Sequence, residues 1–274
     1  MRQGTGGNGK GKRNRKTALA VIMIAALVGF LTAGGGFLYY YWEYQRSRQE
    51  YTEIARIGTA PSQRTDLYGP EEGGEGTGQE YVLLEVDFAA LQAVNPQVTA
   101  WLDIPGTGIS YPVVQGTDNS YYLHHTVKKT YNFAGTIFMD AGCAPCPTAD
   151  GNLVLYGHNM KNGTMFGLLK RYRDRAYYEE HPVFYLYLAD GSVYRCPITG
   201  GFDIPAVTQS LPLTFAAPEE KEAYLQKTQD MLWYAAGESP GPDDPLITLV
   251  TCVGNRREMR LALQGRAELV EAGE

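Results

Sequence analysis

The sequence predicts a mainly β fold, a β-barrel or sandwich with a few added helices. Short runs rich in β-branched and aromatic residues recur from residue 99 onward, and most are bounded by Gly, Pro, Asn or Asp. Such spacing is typical of all-β domains. Asp190-Gly191 lies between two alternating apolar runs and predicts a tight hairpin. The predicted strands are TAWLDI, ISYPVVQ, AGTIFMD, NLVLYGH, VFYLYLADGSVYRCPI, LITLVTC and MRLALQGRAEL.

Two helices interrupt this pattern. A short helical pattern starts at Phe88 and is expected to end near Asn95, because a residue before proline disfavours the helical conformation. A second helix is predicted within 217–237, with Pro218 in its first turn and Gly237 at its end. This helix lies just before the strand that ends at Cys252, so the sequence favours a β-barrel with helical additions.

The N-terminal region has the features of a membrane anchor. Residues 17–38 carry no charge, and as a helix they would span roughly 33 Å at about 1.5 Å per residue. The aromatic run YYYW at 39–42 suits a membrane interface, and six basic residues within 1–16 predict a cytoplasmic N-terminus and an extracellular C-terminus. A cleaved signal peptide is the alternative, although the apolar run exceeds the usual 7–15 residues or so.

We therefore expect four segments. Residues 1–16 form a basic cytoplasmic tail, and 17–42 form a single-pass transmembrane anchor. Residues 43–79 form a polar juxtamembrane helix followed, at 59–79, by a flexible linker rich in Gly, Pro and charge. Residues 80–274 form the extracellular folded domain.

Charge and cysteine content exclude two classes of protein. The basic cluster is confined to the tail, and the rest of the chain has 18 basic against 30 acidic residues, which argues against nucleic-acid binding. Four cysteines are too few for a disulfide scaffold in 274 residues. The core must therefore form by ordinary burial of apolar side chains.

A cysteine and a histidine each end a predicted apolar strand. Cys252 ends LITLVTC, and His158 ends NLVLYGH, where Gly157 leaves room beside it. Together they supply a nucleophile and a proton carrier for acyl transfer. A single cysteine in an apolar strand is also commonly a small buried hydrophobe. Residues 124, 125 and 181 are histidines that we interpret as surface or interfacial.

A Cys–His pair needs further stabilisation. With reference pKa values of about 8.5 and 6.5, the thiolate–imidazolium form is on the order of 1% of the neutral pair. A guanidinium stays charged and can stabilise both a thiolate and an oxyanion. Arg260, which opens the strand after Cys252, is the candidate, with Arg257 in the intervening turn as its competitor. Arg256 and Arg266 are interpreted as surface charges.

Several segments together resemble a class B sortase. They are WLDIPGTGISYPVVQGTDNSYYLHH, AGTIFMD, NLVLYGHNMKNGTMFGLLKRY and LITLVTCVGNRREMRLALQGR, and the similarity extends from about 88 to 266. The resemblance implies a closed sortase-type β-barrel and a cysteine transpeptidase of the Gram-positive cell surface, without metal or organic cofactor. Val250 and Val253 depart from the family, which commonly has Ser and an acidic or polar residue at these positions.

The resemblance also implies roles for individual residues. Cys252 would attack the backbone carbonyl of a C-terminal sorting motif in a secreted protein, and His158 would carry protons to and from the two amines. Arg260 would bind the substrate and the tetrahedral oxyanion. A cell-wall precursor or a pilin would supply the acceptor amine. We further expect Asn159 and Thr251, which adjoin the catalytic pair, to contact the substrate.

Two other functions remain as alternatives. L,D-transpeptidases also use Cys, His and Arg on cell-wall peptides, but YGHNM and TLVTC do not look like their motifs. A catalytically silent, membrane-tethered peptide-binding module is the other alternative. The CAPC motif at Cys143–Cys146 has redox or zinc spacing, but no helix signal and no second such motif follows. A local disulfide or two free thiols is the preferred interpretation, and Cys196 is expected to be buried packing.

Overall fold

The computed structural model describes residues 9–68, 79–205, 211–253 and 256–273. The chain forms two compact units, Met1–Arg46 and Ser47–Glu274. Four α-helices lie within the described residues: α1 (Gly9–Gly58), α2 (Phe88–Val94), α3 (Arg175–Glu180) and α4 (Pro218–Gln229). In this part of the chain, one helix, Leu19–Gly58, is long and apolar enough to cross a membrane by length and composition.

Eleven strands are present in the described ranges. They are β1 (Thr59–Tyr68), β2 (Gln79–Val86), β3 (Val98–Ile104), β4 (Ile109–Gln115), β5 (Ile137–Met139), β6 (Asn152–Tyr156), β7 (Val183–Leu188), β8 (Val193–Pro205), β9 (Leu246–Val253), β10 (Arg256–Arg266) and β11 (Glu268–Glu271). β1 and β2 pair with each other, and the other nine form one sheet.

The larger sheet closes on itself. Its strand order is β10-β9-β6-β5-β4-β3-β7-β8-β11, and β10 also pairs with β8, which joins eight strands into a ring. Closure leaves no unpaired edge in that ring. The structure thus confirms the predicted closed β-barrel, the short helix starting at Phe88, and a helix before the strand that carries Cys252. The predicted hairpin joins β7 to β8, and Gly191 has a φ of 89°, a conformation that favours glycine.

Residues 59–68 do not behave as the predicted linker. They form β1, whose backbone pairs antiparallel with β2. Polar side chains of this strand have partners on the barrel. Asp66 accepts a hydrogen bond from the Tyr185 hydroxyl over 2.8 Å and forms an ion pair with Arg195. Because this strand is held by polar contacts, it is rich in polar and charged residues, and such a composition is also typical of a linker. Residues 69–78 of the predicted linker lie outside the described residues.

Helix α4 ends earlier than predicted. It stops at Gln229, and the apolar residues that suggested a longer helix pack on β8 instead. A Cβ atom on Gly200 would lie 2.4 Å from Leu232, and one on Gly201 would lie 2.3 Å from Trp233. Because neither glycine has a side chain, this segment packs directly against the backbone of β8.

A buried lysine ties α4 to the segments at the start of β6 and β9. Lys221 is 1% exposed, and its ammonium donates to the carbonyl oxygens of Ala149 and Asp244. A buried ammonium is stable only when it is hydrogen-bonded in this way. Lys221 thus fixes α4 relative to the strand that carries Cys252.

Candidate active site

Parallel pairing brings the backbones of His158 and Cys252 to one edge of the barrel. Tyr156 pairs with Val250 in the last register pair of the β6–β9 ladder. His158 and Cys252 each follow two residues later. Because the two strands are parallel, both residues lie at the same carboxyl edge of the sheet. The side chain of Cys252 lies outside the described residues.

The register of β10 places the backbone of Arg260 opposite that of Cys252. β10 is antiparallel to β9, and Arg260 is the direct partner of Cys252. Partners in an antiparallel pair have Cα atoms about 4.5–5.5 Å apart. Arg256 pairs with Val253, and the register shifts between Arg256 and Arg260. The side chains of Arg256 and Arg257 lie outside the described residues, whereas Arg260 is half-buried.

The imidazole of His158 is held in one orientation. Its Nε2 lies 2.7 Å from the carbonyl oxygen of Leu123. A carbonyl oxygen only accepts, so Nε2 must carry the hydrogen and donate it. Nδ1 is therefore the nitrogen that can take up a proton. The hydrogen bond to Leu123 thus determines the tautomer of His158, because the bond made by one ring nitrogen decides which nitrogen carries the hydrogen.

Gly157 allows the close approach of this segment to the barrel. A Cβ atom at Gly157 would lie 2.4 Å from Ile137 Cδ1 and 2.7 Å from Phe166 Cδ2. Both neighbours are fully buried and cannot move aside at low cost. The room that the sequence suggested beside His158 is thus filled by these two side chains.

The surroundings of His158 lower its pKa. Burial disfavours the charged imidazolium most strongly, and the positive charge of a protonated His124 adds to this effect. The hydrogen bond to the Leu123 carbonyl opposes both. The ring is consequently neutral at physiological pH and gains its proton only when a nearby anion or the reaction itself stabilises the charge.

A cluster of buried apolar side chains lies along one face of β6, β9, β10 and β8. Its buried members are Val154, Phe202, Ile204, Leu211, Val250 and Ala262. Val250 precedes Cys252 by two residues on β9. Met231, Leu232 and Tyr224 pack against this cluster. The segment around α4 therefore borders the strand that carries the predicted nucleophile.

Tyr156 and Asp140 form a polar site on this face that sequence reasoning missed. The Tyr156 hydroxyl donates to Asp140 Oδ2 over 3.0 Å, and Asn119 donates to the same oxygen over 2.8 Å. Burial and the Asp140 carboxylate raise the pKa of Tyr156, while the charge of Arg260 opposes this rise. Strand alternation could have identified Tyr156, which lies two residues before His158.

The side chain of Thr251 is buried in β9, with 3% of its surface exposed. Its hydroxyl oxygen has no hydrogen-bond partner within the described part of the chain. Its contact with a substrate stays a prediction. Asn159 is half-buried and forms a β-bridge with Met165, and its substrate contact stays a prediction.

Two of the remaining histidines have separate partners. His181 Nδ1 lies 2.9 Å from the Pro105 carbonyl oxygen, and His125 Nδ1 lies 2.8 Å from the Tyr121 carbonyl oxygen. His124 differs, because its ring lies beside that of His158 at a centroid distance of 5.9 Å. The expected surface position of His124 is correct, but its position next to the predicted catalytic ring was missed.

The remaining cysteines are free thiols. Cys143, Cys146 and Cys196 form no disulfide among the described residues. Burial raises the pKa of Cys143 to about 11, and its sulfur accepts a hydrogen bond from the Val154 amide over 3.3 Å. Such a thiol is a poor nucleophile, since the thiolate is the reactive form. Cys196 is fully buried, as predicted.

Comparison with known proteins agrees with this architecture. A family model described as "Sortase domain" matches residues 102–268. Sortase B of Listeria monocytogenes is 34% identical over 178 residues, which cover 64% of this chain and 72% of that protein. The crystal structure of Clostridium perfringens sortase B has a TM-score of 0.62 and 28% identity, covering 66% of this chain and 100% of that one.

A further solved structure covers more of the chain. Sortase B of Bacillus anthracis has a TM-score of 0.67 and 26% identity, covering 85% of this chain and 100% of that one. The family match includes β6, β9 and β10, the three strands that carry or precede the predicted catalytic residues. The chain belongs to the sortase family of cysteine transpeptidases, and within it to class B.

Proposed function

We propose that this chain is a membrane-anchored, extracellular transpeptidase that cleaves a C-terminal sorting motif in secreted proteins. It then joins the new carboxyl end to an amine of a cell-wall precursor or a pilin. The observation that supports this most strongly is the ladder register, which places Arg260 opposite Cys252 and His158 level with Cys252. Membership of the sortase family supports the class of reaction.

In the acylation step, the Cys252 thiol first gives its proton to Nδ1 of the neutral His158. The resulting thiolate attacks the backbone carbonyl carbon of the sorting motif. The electron pair of the carbonyl moves to oxygen, giving a tetrahedral oxyanion. The C–N bond then breaks, and His158 gives the proton on Nδ1 to the leaving amine. The products are a thioester on Cys252, a free amine and neutral His158.

In the second step, an acceptor amine attacks the thioester carbon. His158 takes the N–H proton of the attacking amine at Nδ1, and the C–S bond breaks. Cys252 leaves as a thiolate beside an imidazolium, so the ion pair formed in the acylation step is restored. The Leu123 carbonyl supports both steps because it keeps Nδ1 as the nitrogen that exchanges protons.

Arg260 is assigned the stabilisation of negative charge. Its position opposite Cys252 suits both the thiolate and the oxyanion that forms one bond away. Removing a comparable oxyanion donor in other enzymes costs about 10²–10³-fold in rate. The Tyr156–Asp140 pair lies within the electrostatic reach of Arg260, which supports its orientation toward this face.

The proposed location of the enzyme rests on the composition of its N-terminal segment. We propose that 17–42 anchors the chain in the cell membrane, with 1–16 in the cytoplasm and the catalytic unit outside. The apolar helix and the basic residues before it support this orientation. An enzyme held at the outer surface would meet secreted proteins as they leave the membrane.

The proposal is tested by trapping the thioester. The full-length protein in detergent is incubated with a library of Leu-Pro-x-Thr-Gly-like and Asn-Pro-x-Thr-type peptides, and adducts are located by mass spectrometry. We expect an acyl adduct on Cys252 that is absent in Cys252→Ala. Binding of peptide by both proteins without any adduct would support the binding-module alternative. Transfer of acyl groups only from cell-wall peptides would support the L,D-transpeptidase alternative.

A further inference from the structure

The acceptor amine must lose two protons in the second step, and His158 alone can take up only one of them. A primary amine is an ammonium at neutral pH, and it must lose one proton before its lone pair can attack. It loses a second proton as the amide forms. A lysine-type amine has a pKa of about 10.4, so roughly one molecule in 2,500 is neutral at pH 7. His158 has one acceptor nitrogen, because Nε2 already donates to Leu123.

A second imidazole lies beside His158 on the solvent side. The rings of His124 and His158 have centroids 5.9 Å apart and planes inclined by 26°. His124 is exposed, whereas His158 is half-buried. The charge of His124 is felt at His158 and lowers the pKa of that ring. His124 is thus close enough to influence the reaction and open enough to exchange protons with water.

An exposed phenol ring adjoins His124. The Tyr131 ring lies 6.3 Å from the His124 ring, centroid to centroid, and Tyr131 is 64% exposed. A cation within about 6 Å of an aromatic face is attracted by about 0.5–1 kcal/mol at exposed sites. The two side chains together offer an attractive surface and a proton acceptor to an arriving ammonium.

Hydrogen bonds hold the backbone of the segment that carries both rings. The Asn132 amide donates to the His124 carbonyl oxygen over 2.9 Å, and the Thr126 amide donates to that of Thr130 over 2.9 Å. The Asn95 side chain donates to the Val127 carbonyl oxygen over 2.8 Å and so connects this turn to the rest of the unit. The backbone positions from which the two rings extend are therefore formed without a substrate, which lowers the entropic cost of binding.

We propose that His124 and Tyr131, here called the imidazole ledge, receive the acceptor as an ammonium and that His124 removes its first proton. This inference rests on the proposed function and specifies its second half-reaction. The ammonium N–H proton passes to the imidazole nitrogen of His124 and then to water. The neutral amine attacks the thioester, His158 takes the second proton, and the Cys252 thiolate leaves.

The ledge specifies a class of acceptor. A base that removes the first proton matters most for a strongly basic amine, such as a lysine-like side chain. It matters little for a weakly basic nucleophile that is already neutral. The acceptor is accordingly a side-chain amine of a peptide, presented from the solvent side of His158.

The test compares three acceptors on a preformed thioester. Wild-type full-length protein in detergent is first acylated with the best peptide from the library, which establishes the proposed function separately. Aminolysis rates are then measured at pH 7 with Nα-acetyl-lysine amide, triglycine and hydroxylamine. In His124→Asn we expect the rate with the lysine derivative to fall by roughly 10²-fold relative to the hydroxylamine rate. Triglycine should fall by an intermediate factor, because an α-amine has a pKa of about 8.

Two controls separate a base from a merely structural residue. His125→Asn removes an imidazole from the same turn, whose ring stacks on Tyr121 at 4.0 Å and also meets Tyr131 edge-on at 6.0 Å. This variant therefore controls for the packing of Tyr131 and should leave the ratio of rates unchanged. Imidazole added to the buffer should restore the lysine-amine rate of His124→Asn. For the cation contact, Tyr131→Leu should raise the KM for the lysine derivative, whereas Tyr131→Phe should not.

The proposal is overturned if His124→Asn slows all three acceptors by the same factor, or slows none of them. It is also overturned if added imidazole fails to restore the lysine-amine rate. A wild-type enzyme that forms no thioester contradicts the proposed function instead, and this is seen before any acceptor is added.

Discussion

Substitution of Gly157 by alanine tests how the barrel positions His158. The added Cβ would lie 2.4 Å from Ile137 Cδ1 and 2.7 Å from Phe166 Cδ2, whereas ordinary contacts begin at 3.4 Å. The overlap with Ile137 is therefore about 1 Å, between two side chains that are fully buried. The backbone that leads into His158 must move, or the core must rearrange.

Both outcomes have a measurable cost. Overpacking of this kind destabilises proteins by about 1–3 kcal/mol. In a unit of this size, each kcal/mol lowers the melting temperature by roughly 2–4 °C. A displacement of about 1 Å at a catalytic group can lower the rate by about 10²-fold. We expect Gly157→Ala to show a lower melting temperature together with a fall in kcat for peptide cleavage.

The assay combines thermal unfolding with peptide turnover for four variants. Gly241→Ala is the matched control, because its nearest neighbour, Asp244, would be 3.6 Å from the new Cβ. Ile137→Val deletes the closest contacting atom and costs about 0.5–1.5 kcal/mol alone. The double variant Gly157→Ala/Ile137→Val should be more stable than the sum of the two single effects predicts. Strict additivity, or a Gly157→Ala protein that melts and turns over like Gly241→Ala, would refute the packing argument.

Three further predictions follow from the geometry. Arg260→Ala should lower kcat/KM for peptide cleavage by about 10²-fold or more, whereas Arg257→Ala should change it little; the reverse order would move the assignment to Arg257. Burial lowers the pKa of His158, so the acidic limb in a plot of kcat/KM against pH should have its midpoint below about 6.5, the ordinary pKa of histidine. A midpoint above that value would contradict this. Lys221→Met removes the donor of two partly buried hydrogen bonds, to the carbonyl oxygens of Ala149 and Asp244, so calorimetry should show a loss of about 0.5–1.5 kcal/mol for each, while an unchanged melting temperature would show that α4 is held by other contacts.

Much of the barrel could be predicted because its strands are local patterns. The apolar alternation and the Asp190-Gly191 turn identify the β7–β8 hairpin without reference to any other part of the chain. β1 is different, since its polar residues become a strand only through pairing with β2 and bonds to Tyr185 and Arg195. No local signal separates such a strand from a linker.

The spatial arrangement of the candidate site could not be predicted from the periodicity of apolar residues in the sequence. Cys252 and His158 lie at or just beyond a strand end, as the sequence alone indicates, whereas β10 begins at Arg256 and Arg260 does not open it. That β6 and β9 are parallel neighbours is a property of the topology, and no local pattern in the sequence shows it.

The ledge residues illustrate a further limit. His124 and Tyr131 are seven positions apart in an irregular segment, and their rings adjoin because hydrogen bonds fold the segment back on itself. Exposed histidines and tyrosines in a loop look like ordinary surface residues in a sequence. Only the coordinates place one of them against His158.

The most direct test of the central claim is a titration of His158 by NMR in full-length protein labelled on its four histidines. If the Cys252 thiol lies beside the imidazole, ionisation of the thiol must be felt by the ring, and the two groups titrate as a coupled pair. The charge of His124 is felt at His158 in both proteins, so we predict that the His158 signal of the wild-type protein shows one inflection more than that of Cys252→Ala. Identical titration curves in the two proteins would mean that the sulfur and the imidazole do not meet, and would contradict the mechanism.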